Sequence, residues 1–289
     1  MFSGTTKNLG VIGWPIAHSL SPTLQNAALE AAGLDYVYTA LPVRPEELSV
    51  AVAGLKALHF RGFNVTIPHK QAVLHALDEI EEDAQIIGAV NTVVSDEGKL
   101  KGYNTDVTGF LDALSLSGFR PEGQKCVLFG AGGAARAVLW GLIKSGVRSV
   151  TVGARHPERA EALTEDFAAR ASIRGTRLAA CHFSSEEFLA DFREADLIVN
   201  ATPLGMTPNI DAMPPVDFTQ AKERAFAYDI IYTPAETKFL REARLAGHPT
   251  LNGEMMLVLQ GAAAFRLWTD VTPDTEAMKL ALRQALATK

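Results

Sequence analysis

The sequence predicts an α/β fold class made of two α/β domains, and three observations carry that expectation. Short apolar runs alternate with helical patterns as far as Thr105, the alternation restarts at Cys126, and 289 residues at 47% hydrophobic content can fill two ordinary cores. Strand–helix alternation implies a mostly parallel sheet covered on both faces.

In the first half, residues 9–13, 36–41 and 62–67 read as strands and residues 21–32, 45–58 and 69–77 as helices. Residues 90–95 and 99–103 flank Asp96-Glu97-Gly98, a hairpin turn. In the second half, strands are expected at 126–129, 149–153, 196–199 and 226–231, with helices between them. Residues 207–215 are the most loop-like stretch, and from Glu254 two helices split near Thr272-Pro273 and are expected to return to the first domain. The expected domains are 1–105 with 253–289, and 106–252.

The apolar run Cys126-Val127-Leu128-Phe129 leads into Gly130-Ala131-Gly132-Gly133-Ala134-Ala135, and residues 135–145 read as an amphipathic helix. A glycine loop between strand and helix is the setting for a dinucleotide pyrophosphate. Gly130 permits the tight turn, Gly132 lets the backbone approach the anion, and the helix start offers unpaired N–H groups. Such loops also serve as plain connections. The next strand ends in Ala154-Arg155-His156 without the carboxylate that would bind the ribose of NAD. Arg155 suits the 2′-phosphate of NADP or is a solvated helix-start residue, and Arg159 reads as an exposed helix residue.

Composition excludes several classes. A net charge of −6 argues against nucleic acid or an anionic membrane as the main partner. Two cysteines, Cys126 and Cys181, in strand-like context fit reduced thiols, and neither reads as a nucleophile. Seven scattered histidines give no metal-ligand spacing, and with neither a leader nor a membrane-spanning run the expected location is the cytoplasm.

Ligands of open α/β sheets bind where strands end. After the first strand, Ser19 and Ser21 offer hydroxyls suited to a small carboxylate. Ser21 also reads as a helix N-cap before Pro22. After the third strand comes Thr66-Ile67-Pro68-His69-Lys70, and after the hairpin Asn104-Thr105-Asp106. A lysine on a proline-stiffened turn, paired with Asp106, suits proton transfer or alkoxide stabilisation; a surface ion pair is the alternative.

Seven separated segments together resemble the shikimate dehydrogenase family. They are Ser19-Leu20-Ser21-Pro22, Asn64-Val65-Thr66-Ile67-Pro68-His69-Lys70, Gly88-Ala89-Val90-Asn91-Thr92, Gly102-Tyr103-Asn104-Thr105-Asp106, Gly130 through Ala137, Asn200-Ala201-Thr202-Pro203-Leu204-Gly205-Met206, and Gly253-Glu254-Met255-Met256-Leu257-Val258-Leu259-Gln260. The resemblance implies an N-terminal substrate domain, a Rossmann-type NADP-binding domain, and reduction of 3-dehydroshikimate to shikimate with NADPH on the route to aromatic amino acids. It implies Lys70 and Asp106 as the catalytic pair, Ser19 and Ser21 on the substrate carboxylate, and Thr66, Asn91, Tyr232 and Gln260 as further substrate contacts.

On the cofactor side it implies Gly130, Ala131, Gly132, Gly133 and Ala134 around the pyrophosphate, Ala154, Arg155 and His156 at the adenosine, Thr202 and Met206 lining the crevice, and Ile230 and Gly253 beside the nicotinamide. Members that use NADP commonly carry Asn-Arg-Thr where this chain has Ala154-Arg155-His156, so only the arginine is retained; members that oxidise quinate with NAD carry an acidic residue there. The small-molecule substrate is the expected partner, with either a monomer or a homodimer permitted. A quinate/shikimate enzyme with relaxed NAD/NADP use and a non-catalytic NADP-binding sensor are the alternatives.

Overall fold

The computed structural model describes residues 3–287, and the chain divides into two units. The first runs to Gly109 and resumes at Val258; the second is Phe110–Leu257. Each unit is built on its own six-stranded sheet.

The first unit begins with β1 (Lys7–Gly13), α1 (Ser21–Ala31), β2 (Tyr36–Pro42), α2 (Leu48–Ala57) and β3 (Gly62–Val65). It continues with β4 (Glu79–Ile80), α3 (Glu82–Ile87), β5 (Thr92–Asp96), β6 (Lys99–Tyr103) and the start of α4 (Asp106–Leu116). The sheet order is β2-β1-β3-β5-β6-β4, with β1, β2 and β3 parallel and β5 antiparallel to both neighbours. Asp96 pairs with Lys99 across Glu97 and Gly98, both at positive φ, as a two-residue hairpin turn requires. Ile12, Val52, Leu55, Phe63, Val65, Val93 and Leu100 form one buried cluster.

The second unit contains β7 (Lys125–Phe129), α5 (Gly133–Lys144), β8 (Ser149–Ala154), α6 (Pro157–Ile173), β9 (Arg177–His182) and α7 (Glu186–Glu194). It ends with β10 (Leu197–Asn200), β11 (Phe226–Asp229), α8 (Lys238–Leu245), β12 (Thr250–Leu251) and the start of α9 (Glu254–Thr269). All its strands are parallel, in the order β9-β8-β7-β10-β11-β12, the doubly wound Rossmann arrangement. Residues 126–129 are fully buried because helices cover both faces of a parallel sheet, which is why that strand reads as an unbroken apolar run. The order reverses between β7 and β10, and their carboxyl ends are where such a sheet binds ligands.

The C-terminal helices pack on the first unit. The α10 helix (Thr275–Ala287) lies against α1, and Trp268 of α9 donates its indole N–H to Val93 O at 2.9 Å. Among the described residues, no helix is long and apolar enough to cross a membrane.

Several expected elements change. The strand over 62–67 stops at Val65, and that over 226–231 stops at Asp229. The helix expected over 45–58 opens as a 3₁₀ turn at Pro45–Glu47, and in place of a helix over 69–77 there is a 3₁₀ segment, Ala72–Ala76. The α5 helix starts two residues before Ala135, with Gly132 at its cap position. Ser21 does not act as an N-cap: it is the first helical residue of α1, Leu20 stands at the cap, and no side chain caps that end.

Candidate active site

The first unit gathers polar residues at one end of its sheet. Because β5 runs against β3, the residue entering β5 meets the end of β3: Val65 N donates to Asn91 O at 2.8 Å, and Asn91 N donates to Tyr103 O at the end of β6 at 3.0 Å. The turn after β3 carries Lys70, the entry to β5 carries Asn91, and the start of α4 carries Asp106.

Lys70 Nζ donates to Asp106 Oδ2 at 2.6 Å, while Asn91 Nδ2 donates to Asp106 Oδ1 at 2.8 Å. Asn91 Oδ1 in turn accepts from Thr105 N at 2.8 Å and from the Thr92 hydroxyl at 2.9 Å. Asn104 Oδ1 accepts from Asp106 N at 3.1 Å, and its Nδ2 donates to Ala89 O at 3.0 Å. His69 is buried and bonded to Val43 O through Nε2 at 2.7 Å, which steadies the turn bearing Lys70. The pair is therefore no loose surface contact: both carboxylate oxygens are engaged, and the side chains are 21% and 11% exposed. An ammonium held this way, with limited solvent access, can donate a proton or stabilise a developing alkoxide. Ser21 N donates to Ser19 Oγ at 3.3 Å, fixing the two serines beside each other after β1.

The second unit carries the glycine loop at its switch point. Gly130 has φ +108°, and a Cβ there would lie 2.9 Å from Ala201 O, so the turn beside β10 admits only glycine. Gly132 and Gly133 differ: a Cβ on either meets nothing within 4 Å, and neither has a positive φ. The protein's own packing does not demand glycine at either position. Open space in front of the side-chain-uncapped start of α5 fits a pyrophosphate received by backbone N–H groups.

Ala154 ends β8 buried, while Arg155 is exposed and makes no ion pair or hydrogen bond among the described residues. His156 Nδ1 lies 3.5 Å from Glu158 Oε1, both exposed, so a carboxylate does stand in the first turn of α6, facing the histidine.

At the ends of β10 and β11, Asn200 Oδ1 accepts from Thr202 N at 3.0 Å and the Thr202 hydroxyl at 2.6 Å, and its Nδ2 donates to Asp229 Oδ1 at 3.2 Å. Asp229 also accepts from Ile231 N at 3.0 Å and the Thr237 hydroxyl at 2.6 Å. Burial pushes this carboxyl up to about 6 despite those donors. Gly253 admits no side chain, since a Cβ would fall 2.0 Å from Ile230 O.

Comparison with known proteins agrees with both halves. Residues 11–93 match the shikimate dehydrogenase substrate-binding domain, residues 253–283 the shikimate 5′-dehydrogenase C-terminal domain, and residues 125–217 the coenzyme F420-dependent NADP oxidoreductase family. Shikimate dehydrogenase (NADP(+)) of Citrifermentans bemidjiense is 45% identical over 290 residues, covering 99% of this chain and 98% of the relative. The chain belongs to the shikimate dehydrogenase family.

A crystal structure of shikimate dehydrogenase in complex with NADP+ superposes with a TM-score of 0.91 at 42% identity, covering 99% of this chain and 97% of that one. The shikimate 5-dehydrogenase of Thermus thermophilus, in complex with NADP(H) and shikimate, gives 0.85 at 41% identity, with 96% and 99% covered.

The shikimate dehydrogenase family residues expected from the sequence fall into two sets. Ser19, Ser21, Thr66, Lys70, Asn91, Asp106 and Gln260 belong to the first unit, with Gln260 half-buried on α9. The glycine loop, Ala154, Arg155, His156, Thr202, Met206, Ile230, Tyr232 and Gly253 belong to the second. Tyr232, expected as a substrate contact, thus comes from the same unit as the cofactor set, on the turn after β11; burial pushes its phenol up. The sequence assigned no role to Tyr38, Thr92, Asp229 or Thr237. Tyr38 lies inside β2 and Asp229 closes β11, and in a strand a polar residue reads as a break in pattern and not as a partner.

Proposed function

We propose that this chain is an NADP-dependent shikimate dehydrogenase that interconverts 3-dehydroshikimate and shikimate. The observation that carries the reading is the Lys70–Asp106 pair, locked by Asn91 at the end of the first unit's sheet, in a chain that is similar to shikimate dehydrogenases along nearly its whole length.

When bound, NADPH supplies the hydride that reduces the ketone carbon. Lys70 donates a proton to the ketone oxygen as it gains negative charge, and Asp106 holds the ammonium on line for that oxygen. Ser19 and Ser21 hold the substrate carboxylate, with Thr66, Asn91, Tyr232 and Gln260 on the ring substituents. Gly130 through Ala134 receive the pyrophosphate, Arg155 and His156 the 2′-phosphate, and Ala154, Thr202, Met206, Ile230 and Gly253 flank the rest of the cofactor. The 1–105 and 253–289 segments make the substrate domain in this reading and 106–252 the cofactor domain. The enzyme acts in the cytoplasm, as a monomer or homodimer.

Steady-state assays of the purified protein with shikimate or quinate, each against NADP or NAD, test the proposal. Shikimate with NADP should give the highest kcat/KM. A higher value for quinate with NAD defeats it, and tight NADP binding without turnover of either acid leaves a sensor.

A further inference from the structure

Asp229 closes β11 with a buried carboxyl that three neutral donors meet from three segments. Oδ1 accepts from Ile231 N on the turn after β11 at 3.0 Å and from Asn200 Nδ2 at the end of β10 at 3.2 Å, while Oδ2 accepts from the Thr237 hydroxyl at 2.6 Å. Thr237 is the N-cap of α8, where its oxygen also accepts from Leu240 N at 3.4 Å. Among the described residues no cation pairs with this carboxyl, so burying it is costly and an apolar side chain would fill the same volume more cheaply. What the carboxyl supplies is direction.

The turn that follows is clamped at each peptide. Ile230 N donates to Asn200 O at 3.1 Å, Ile231 N to Asp229 Oδ1, and Gly253 N to Ile231 O at 2.9 Å. Ile231 N–H and Ile230 C=O belong to one planar trans peptide and point in opposite directions. By accepting the N–H, Asp229 therefore fixes where the Ile230 carbonyl points. That oxygen stands against Gly253, where a Cβ would fall 2.0 Å from it, and it accepts no hydrogen bond among the described residues. It is an aimed acceptor without a donor. Asn200 extends the same control to the loop after β10: its Oδ1 accepts from Thr202 N and from the Thr202 hydroxyl, and Leu204 N donates to that hydroxyl at 3.2 Å.

We propose that Asp229 is a positioning residue for the nicotinamide of the cofactor: through the Ile230–Ile231 peptide it aims the Ile230 carbonyl at the carboxamide N–H group, and through Asn200 it holds the Thr202 loop beside it. The inference rests on the NADP-dependent reading, which sets Ile230 and Gly253 next to the nicotinamide, and adds the group that orients them. A ring held by its carboxamide presents one face for hydride transfer, so the gain is one of orientation. Loss of Asp229 falls on the nicotinamide half of the cofactor and spares the adenosine half, which the glycine loop and Arg155 hold in that reading.

The test is titration calorimetry of the full chain, unaltered or carrying Asp229→Ala or Asp229→Asn, with three ligands. These are NADP, its acetylpyridine analogue, in which a methyl ketone replaces the carboxamide and removes the N–H donor, and adenosine 2′,5′-bisphosphate, which lacks the nicotinamide. The unaltered protein should bind NADP about tenfold tighter than the analogue, the worth of one hydrogen bond. Asp229→Ala should weaken NADP about tenfold, leave the bisphosphate within about twofold, and cut the preference over the analogue to about twofold. Asp229→Asn keeps an oxygen for Ile231 N and an N–H for the Thr237 hydroxyl, so it should restore NADP to within about threefold.

No preference for NADP over the analogue in the unaltered protein overturns the proposal. So do unchanged NADP affinity in Asp229→Ala, equal losses of NADP and bisphosphate there, or an Asp229→Asn variant no better than Asp229→Ala. If Asp229→Ala does not fold, Thr237→Val keeps the side-chain shape and frees one carboxylate oxygen. It must lower the ratio of NADP to bisphosphate affinity at least about threefold, and an unchanged ratio also overturns the proposal. Absence of shikimate turnover in an unaltered protein that binds NADP overturns the functional reading alone, and the same binding ratios still decide the role of Asp229.

Discussion

The Lys70 ammonium donates to one oxygen of Asp106 at 2.6 Å, while the other oxygen of that carboxylate is held from the opposite side by Asn91. The aspartate therefore cannot rotate to follow the lysine; the lysine is aimed by the aspartate. General acid catalysis of this kind contributes about 10²–10⁴-fold.

Replacing Lys70 by Ala should accordingly lower kcat by about 10²–10⁴-fold while shikimate still binds. Asn91→Ala, which frees the second Asp106 oxygen, should lower kcat by a smaller factor, roughly tenfold, as for one lost hydrogen bond to a charged group. Steady-state kinetics beside a direct binding measurement decide this. Full turnover in the Lys70 variant would remove that residue from the reaction.

The two kinds of glycine in the loop predict opposite outcomes. Gly130→Ala places a Cβ against Ala201 O at a backbone angle that alanine rarely adopts, so the melting temperature should drop by several degrees, matching about 1–2 kcal/mol. Gly132→Ala meets open space at ordinary φ and should leave the melting temperature unchanged, yet raise KM for NADP about tenfold by standing in the way of the pyrophosphate. Thermal melts and cofactor titrations of the two variants separate fold from ligand; equal cofactor affinity in Gly132→Ala would refute the loop's role.

Arg155 is exposed and unpaired among the described residues, as a side chain awaiting an anion should be. Arg155→Ala should cut kcat/KM with NADP about 10–100-fold and leave that with NAD nearly unchanged, the size of a charged hydrogen bond lost to the 2′-phosphate. His156→Ala tests the neighbouring pair with Glu158: releasing that carboxylate should lower the NADP preference further. A uniform loss with both cofactors argues for misfolding of the corner.

Asp229 predicts a pH effect on stability. Its folded value of about 6 lies above the ordinary 3.8, so the folded state holds the proton more tightly than the unfolded chain does. Its contribution is fully present below pH 3.8 and is lost as pH rises through about 6, a change of about 3 kcal/mol at most. Asp229→Asn should therefore gain melting temperature relative to the unaltered protein between pH 4 and 7, since the amide keeps an acceptor for Ile231 N without a charge. A constant difference between the two proteins across that range contradicts the shift.

The sequence exposed most of this architecture because its strongest signals coincide with the sheet centres and tight turns: Cys126 to Phe129 is apolar because it is buried on both faces, and the hairpin is marked by Gly98, which takes a positive φ without strain. The edges were harder. Strand β9, Arg177–His182, is half-buried for most of its length, and its apolar run Leu178-Ala179-Ala180-Cys181 lacks the β-branched and aromatic residues that mark a strand. The short α3 helix is capped by Glu81, an unusual cap, and closed by Gly88 at positive φ, so its start lacks the familiar pattern. In the site, Lys70 and Asp106 were legible as chemistry-bearing residues in turns. The Tyr38 phenol was not, because it reaches from β2 to Asn64 Oδ1 on β3, a pairing that no local spacing encodes.

Strand β2 is the edge of the first unit's sheet, and there Asn26 of α1 donates through Nδ2 to Tyr38 O at 2.8 Å and accepts from Tyr38 N through Oδ1 at 3.0 Å. Outer-edge backbone groups of a sheet invite an extended segment from another molecule to add a strand. At Tyr38 that invitation is already answered from within, since one asparagine occupies both the N–H and the C=O. Aggregation by strand addition along β2 would first have to evict it, so Asn26 guards solubility as well as shape.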